Sequence, residues 1–359
     1  MAKKKTALQV KKGVEQPPSV NAEAVKRFQT RKAKVMPPQY YVEGILKSDR
    51  TILAKAITLI ESTLPRHRKA ASEILERCIP HSGQSVRIGI TGVPGAGKST
   101  FIEAFGKHLT GLGHKVAILA IDPSSGRSKG SILGDKTRME TLSADPMAFI
   151  RPSASAGSLG GVARKTYESI ILCEAAGYDV VIVETVGVGQ SETEARSMVD
   201  FFLLLMLAGA GDELQGIKRG IIEMSDAIIV NKADGNNIEA ANRALAQYKN
   251  ALHLFSPPPS GWTPLTGKCS ALNNEGIDTV WEMIEAYVKL TKENGYFVEN
   301  RKEQQIKRFH NNLADNLVNK FYEDEEVKRL LPELEEKIKN KKIDVYSAAE
   351  NLIRGYLRK

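Results

Sequence analysis

The sequence predicts a doubly wound α/β protein with a mostly parallel sheet, and three observations carry that expectation. Seven short β-rich runs recur between residues 86 and 270, separated by helical stretches. The runs are continuously apolar rather than alternating, as in strands covered on both faces. The first leads directly into Gly92-Val93-Pro94-Gly95-Ala96-Gly97-Lys98-Ser99, at the carboxyl end where such sheets bind ligands.

Residues 1–40 are expected to form a flexible leader. The chain has 359 residues and a net charge of +9, yet ten basic side chains sit in this segment against only Glu15 and Glu23. The remainder is nearly neutral, so the leader is expected to be a solvated tail and nucleic acid is not expected as a partner. Residues 41–84 follow as an N-terminal helical extension. Ile52, Leu53, Ile57, Leu59, Ile60, Leu64, Ile74 and Leu75 recur at helical spacing and break at Leu64-Pro65, which predicts a helical hairpin beside the main domain.

Residues 85–290 hold the strands: Val86–Thr91, Lys115–Ile121, Met147–Arg151, Tyr178–Val183, Phe201–Leu207, Ala227–Val230 and Leu265–Ser270. After about Gly276 the strand signals stop, and residues 291–359 are expected to form a C-terminal helical arm. Ile306, Phe309, Leu313, Leu317 and Phe321 make one apolar stripe; Val345, Ala348, Leu352, Ile353 and Tyr356 make another. Such stripes pack either on their own domain or against a second copy.

Composition excludes several classes. With 42% apolar and 26% charged residues the chain is neither disordered nor fibrous. Cys78, Cys173 and Cys269 are isolated, which argues against a disulfide framework and fits a reducing compartment. The longest apolar run, Phe201 to Ala208, is far short of the ~20 residues that span a bilayer. The N-terminus lacks an apolar signal core, so a cytoplasmic location is expected.

The glycine-rich segment fits G-x-x-x-x-G-K-[ST] between a predicted strand and a helical run opening at Thr100. Its glycines let backbone N–H groups converge on phosphate oxygens at a helix N-terminus. Lys98 is expected to reach the β- and γ-phosphates, and Ser99 to hold Mg²⁺. Acids for the metal are expected at neighbouring strand ends: Asp122 after the second run, and Glu184 after the fourth, followed by Gly187, whose N–H would approach the γ-phosphate. Between them, Gly130–Met139 carries Asp135 and Arg138 in a loop expected to order around metal and triphosphate.

Asn231-Lys232-Ala233-Asp234 follows the sixth run. A carboxylate there accepts two hydrogen bonds from guanine N1–H and the 2-amino group, a donor pair adenine lacks, so Asp234 selects GTP over ATP. Asn231 is expected to tie the loops together and the Lys232 stem to cover one face of the base. Ser270-Ala271-Leu272 would supply a backbone N–H to guanine O6.

Further runs are specific: Asp122-Pro123-Ser124-Ser125, Gly134-Asp135-Lys136-Thr137-Arg138-Met139, Glu184-Thr185-Val186-Gly187-Val188-Gly189-Gln190-Ser191-Glu192, and Gly209-Ala210-Gly211-Asp212-Glu213-Leu214-Gln215-Gly216-Ile217-Lys218. With the phosphate and base motifs they resemble the MeaB/ArgK family of GTPases, to which the methylmalonic aciduria type A protein is related. The resemblance spans roughly Leu46 to Tyr287 and is expected to include the helical tail. It implies a homodimeric chaperone that uses GTP to gate adenosylcobalamin loading into methylmalonyl-CoA mutase and to protect that enzyme. It also implies a first switch over Asp135 to Met139, a second over Glu184 to Glu192, and a third in which Asp212, Gln215 and Lys218 couple to the mutase.

One departure bears on rate. Where Ras-like proteins carry a water-orienting glutamine after the second-switch glycine, this chain has Val188, so slow intrinsic hydrolysis stimulated by a partner is expected. Three other readings compete: a metallocentre-insertion GTPase, for which only Cys78 and His81 hint at a site, an accessory kinase of basic-amino-acid transport, and an RNA-binding GTPase acting through the leader.

Overall fold

The computed structural model describes residues 36–121, 139–152, 159–185, 191–208 and 219–358. A seven-stranded sheet forms its centre, with strands β1 (Val86–Gly92), β2 (Val116–Ile121), β3 (Ala148–Arg151), β4 (Val180–Thr185), β5 (Phe201–Leu207), β6 (Ala227–Asn231) and β7 (Leu265–Lys268). Their spatial order is β3-β2-β4-β1-β5-β6-β7. Every pair is parallel. All seven expected strands are present, each within two residues of its anticipated bounds.

Why the strands are apolar throughout follows from the two cores. Val116, Ile118, Val180 and Ile182 face one core, whereas the alternating Ala117, Leu119, Val181 and Val183 face the other. A strand with both faces buried has little room for a charge, and Arg87 in β1 is buried there paired with Glu174 at 2.8 Å. The first core receives α4 (Lys98–Gly111), with Phe101 and Phe105 stacked at 5.5 Å, and later helices that contribute Tyr248, Trp281 and Tyr287.

The second core receives α1 (Pro38–Leu46), α2 (Arg50–Glu61), α3 (Pro65–Cys78) and α6 (Leu159–Ala175). The hairpin of α2 and α3 breaks at Leu64-Pro65 as its sequence requires, with Pro65 opening α3. Asp49 caps α2, accepting from the N–H of Thr51 and of Ile52. Helix α1 begins inside the stretch assigned to the leader and runs on into the expected helical extension. Leu53, Ile57 and Ile60 share one buried cluster with Ile170 and Val181, so the extension is part of the domain's own core.

The remaining helices are α5 (Glu140–Ser143), α7 (Ser191–Arg196), α8 (Arg219–Glu223), α9 (Ile238–Leu252), α10 (Ile277–Glu293), α11 (Tyr296–Glu323), α12 (Glu325–Lys339) and α13 (Val345–Leu357). The anticipated stripe on α11 is present but uncovered: Ile306, Phe309, Leu313 and Leu317 are all exposed, Phe309 at 63%. On α13, Ala348 and Leu352 are buried while Val345 and Ile353 are exposed. The edge-on contact of Phe321 with Tyr356 at 5.1 Å folds the end of the arm back on itself. Among the described residues no helix is long and apolar enough to cross a membrane.

Candidate nucleotide site

The loop after β1 turns on three glycines. Gly92 lies against the backbone of β5, where a Cβ would stand 2.3 Å from the Leu205 carbonyl oxygen. Gly95 and Gly97 both have φ near +80°, the left-handed region that glycine enters at little cost. Gly97 then caps α4, and its carbonyl receives the Phe101 N–H at 2.8 Å. Val93 and Ala96 are buried and anchor the loop, leaving Pro94, Gly95 and Thr100 exposed and Ser99 half-buried at the helix start. A Gly92→Ala substitution therefore forces backbone apart, and is expected to destabilise the protein by roughly 2–4 kcal/mol. Urea unfolding checks this; a change below about 0.5 kcal/mol would contradict the close approach.

Lys98 donates to the Gly92 carbonyl at 2.9 Å, which folds its side chain back over the loop. Burial holds its ammonium below the usual lysine range, opposed by the attraction of Glu184 and Glu192. Glu184 is the penultimate residue of β4 and aligns with Ile90 of β1 and Ala120 of β2. Sequence reasoning placed it just beyond the strand. The strand runs on because the Thr185 hydroxyl donates to the Thr91 hydroxyl at 2.8 Å, pinning the ends of β4 and β1 together.

Glu192, on the first turn of α7, is fully buried and adds a second carboxylate facing Lys98. Sequence reasoning included it in a motif but gave it no site role. A carboxyl group cut off from solvent needs polar partners, and that is visible only once the fold brings Lys98 towards it.

The base motif closes the other side. Asn231 ends β6, and its amide donates to the Ala96 carbonyl at 2.8 Å while its Oδ1 accepts the Ala271 N–H at 3.1 Å. One buried side chain thus links the phosphate loop to the segment after β7. Lys232 takes a positive φ of 58° and its stem runs beside Gly97. The Ser270 hydroxyl donates to the Asp234 carboxylate, and an antiparallel bridge to Glu275 fixes Ser270 itself. Sequence reasoning treated Ser270 as a backbone donor and missed this side-chain contact. Ala271 is buried, whereas Leu272 is 77% exposed.

The structure therefore brings together residues 92–100, Glu184, Asn231 to Asp234 and Ser270 to Leu272 along the carboxyl edge of the sheet. Asp122, Asp135, Arg138, Gly187, Asp212, Gln215 and Lys218 lie outside the described residues. Cys78 is buried in the second core, with its thiol pushed up to about 11 by that burial, while His81 is exposed.

A phosphate loop opening a helix, a carboxylate two strands from the sheet edge and an N-K-x-D segment tied to that loop define a P-loop GTPase. Residues 53–326 match the family described as methylmalonyl Co-A mutase-associated GTPase MeaB, and the chain belongs to that family. It is similar to GTPase ArgK of Escherichia coli strain K12, 45% identical over 80% of this chain and 87% of that protein. It is also similar to the mitochondrial methylmalonic aciduria type A homolog of Mus musculus, 43% identical over 87% of this chain and 78% of that one. The crystal structure of a LAO/AO transport system kinase aligns at 35% identity with a TM-score of 0.71, covering 91% of this chain and all of that one.

Proposed function

We propose that this GTPase is a cytoplasmic, homodimeric chaperone of methylmalonyl-CoA mutase that uses GTP to gate adenosylcobalamin loading and to protect the mutase. The observation that carries the reading is the match over residues 53–326 to a family described by its association with that mutase. The likeness to the methylmalonic aciduria type A homolog supports it.

In this reading the N–H groups of the 92–97 loop and of the first turn of α4 wrap the phosphates, where orphan donors and helix dipole favour anions. Lys98 exchanges its hold on the Gly92 carbonyl for the β- and γ-phosphates. Asp234, held by Ser270, takes guanine N1–H and the 2-amino group; the Lys232 stem covers the base, and the 270–272 segment offers O6 the Leu272 N–H, since the Ser270 N–H is held by Glu275 and the Ala271 N–H by Asn231. The half-buried Ser99 hydroxyl and the buried Glu184 carboxylate are hard oxygen donors that fit Mg²⁺, with Asp122 and Asp135 completing the set. Mg²⁺, when bound, neutralises phosphate charge. Arg138 and the Gly187 N–H act on the γ-phosphate, and Asp212, Gln215 and Lys218 transmit the state to the mutase.

Homodimer formation through the arm, residues 291–359, is supported by the uncovered α11 stripe. Covering a large apolar side chain contributes roughly 1.5–3 kcal/mol, so four of them are a substantial incentive to pair. Mixing the protein with purified methylmalonyl-CoA mutase tests the partnership. Co-elution on size exclusion that differs between GDP and a non-hydrolysable GTP analogue is expected; separate elution in both states would sink the reading.

A further inference from the structure

Helix α11 holds the turn that ends α7 with three side chains on one face. Arg301, Gln304 and Arg308 are spaced three and four residues apart, which stacks them along a single side of a helix. They meet three residues of the Ser197–Asp200 turn in reverse order. Arg301 grips the Asp200 carboxylate with two bonds of 2.7 Å. Gln304 Nε2 donates to the Val199 carbonyl at 2.8 Å, and Arg308 Nη2 donates to the Ser197 carbonyl at 3.1 Å.

That turn is joined to the nucleotide site by only six helical residues. Helix α7 runs from Ser191 to Arg196, about 9 Å at 1.5 Å per residue. Its first turn presents Glu192 to Lys98, and its last residue, Arg196, pairs with Asp226 at 2.8 Å and donates to the Asp200 carbonyl at 3.2 Å. So short a helix moves as a unit. A shift of the turn becomes a shift of Glu192.

The grip is also incompletely satisfied. Gln304 Oε1 and Arg308 Nη1 are buried without hydrogen-bond partners, two of the three such side-chain atoms among the described residues. Both residues line one cavity of about 240 Å³, together with Glu194, Ser197 and Met198. The Arg308 guanidinium lies over the Tyr167 ring at 3.1 Å, and burial pulls its pKa down to about 10. Buried polar atoms are almost always paired. Two unpaired ones beside open volume, on the very residues that hold the turn, mark an element with room for a second arrangement.

We propose that Arg301, Gln304 and Arg308 are positioning residues for GTP hydrolysis: through the Ser197–Asp200 turn and α7 they set where Glu192 stands against Lys98, making the C-terminal helix part of the hydrolytic machinery. The inference is independent of which protein the GTPase serves.

The test is the paired variant Gln304→Leu and Arg308→Met, with Arg308→Lys as the conservative control. The paired variant is expected to lower kcat for GTP about tenfold while GDP affinity stays within twofold, and Arg308→Lys to retain most activity. Unchanged kcat with a lowered melting temperature would overturn the proposal, reducing the contacts to a buttress; so would a loss of nucleotide affinity at preserved kcat. Should the paired variant fail to fold, hydrogen exchange on the unaltered protein decides. Exchange at Ser197–Asp200 and along 304–312 should differ between GDP and a non-hydrolysable GTP analogue, and identical protection in the two states would refute the coupling.

Discussion

Asp234→Asn is expected to weaken GTP binding by about 10²–10³-fold and to create affinity for the xanthine nucleotide. Two bonds from guanine to a carboxylate contribute roughly 1.5–3 kcal/mol each. An amide in that place turns one acceptor into a donor facing the guanine amino group. Xanthine carries a carbonyl there, which the new amide satisfies. The surrounding structure should persist, because Asn231, not Asp234, ties the loops to Ala96 and Ala271. Ser270→Ala is the companion variant. It leaves the carboxylate chemistry intact but frees its orientation, so a loss of about tenfold, the worth of one hydrogen bond to a charge, is expected without any change of base preference. Competition between guanine and xanthine nucleotides against a fluorescent GDP analogue reads both effects. If the asparagine variant kept its guanine preference, Asp234 would not be the base-reading residue.

The second large effect belongs to Lys98. Its ammonium is half-enclosed, donates to the Gly92 carbonyl and is flanked by Glu184 and Glu192. Lys98→Met removes a cation that faces these carboxylates and keeps most of the stem. Losing a preorganised electrostatic contact to the transferred phosphoryl group costs about 10²–10³ in rate. Single-turnover hydrolysis at saturating GTP measures this apart from binding. A fall of less than threefold would mean that Lys98 anchors the loop and takes no part in the chemistry.

The sheet and the phosphate loop were legible because each residue type is forced by its surroundings. Ile118, Leu119, Val181 and Val183 admit no charge, and Gly92 admits no side chain beside Leu205. The ends of elements were less so. β4 extends to Thr185 through a hydroxyl pair with Thr91, and β7 stops at Lys268 because Ser270 is taken by the bridge to Glu275. Helix α1 is only nine residues long, too short for its spacing to place its start at Pro38 rather than after the leader. Contacts made by single residues at long range left no trace at all. The bond from Ser270 to Asp234, the placement of Glu192 near Lys98, and the grip of Gln304 on Val199 across 105 positions have no period to reveal them. The α11 stripe was legible as a stripe, but sequence alone could not say that this chain leaves it uncovered.

GTP hydrolysis by the purified protein, alone and with methylmalonyl-CoA mutase, tests the central claim most directly. With Val188 in place of a water-orienting glutamine, the protein alone should turn over well below ~1 s⁻¹, the lower end of typical enzyme rates. Addition of the mutase should raise that rate, and Asp234→Asn should abolish the stimulated GTP reaction. Fast turnover by the isolated protein, unaffected by the mutase, would contradict the account of a partner-gated switch.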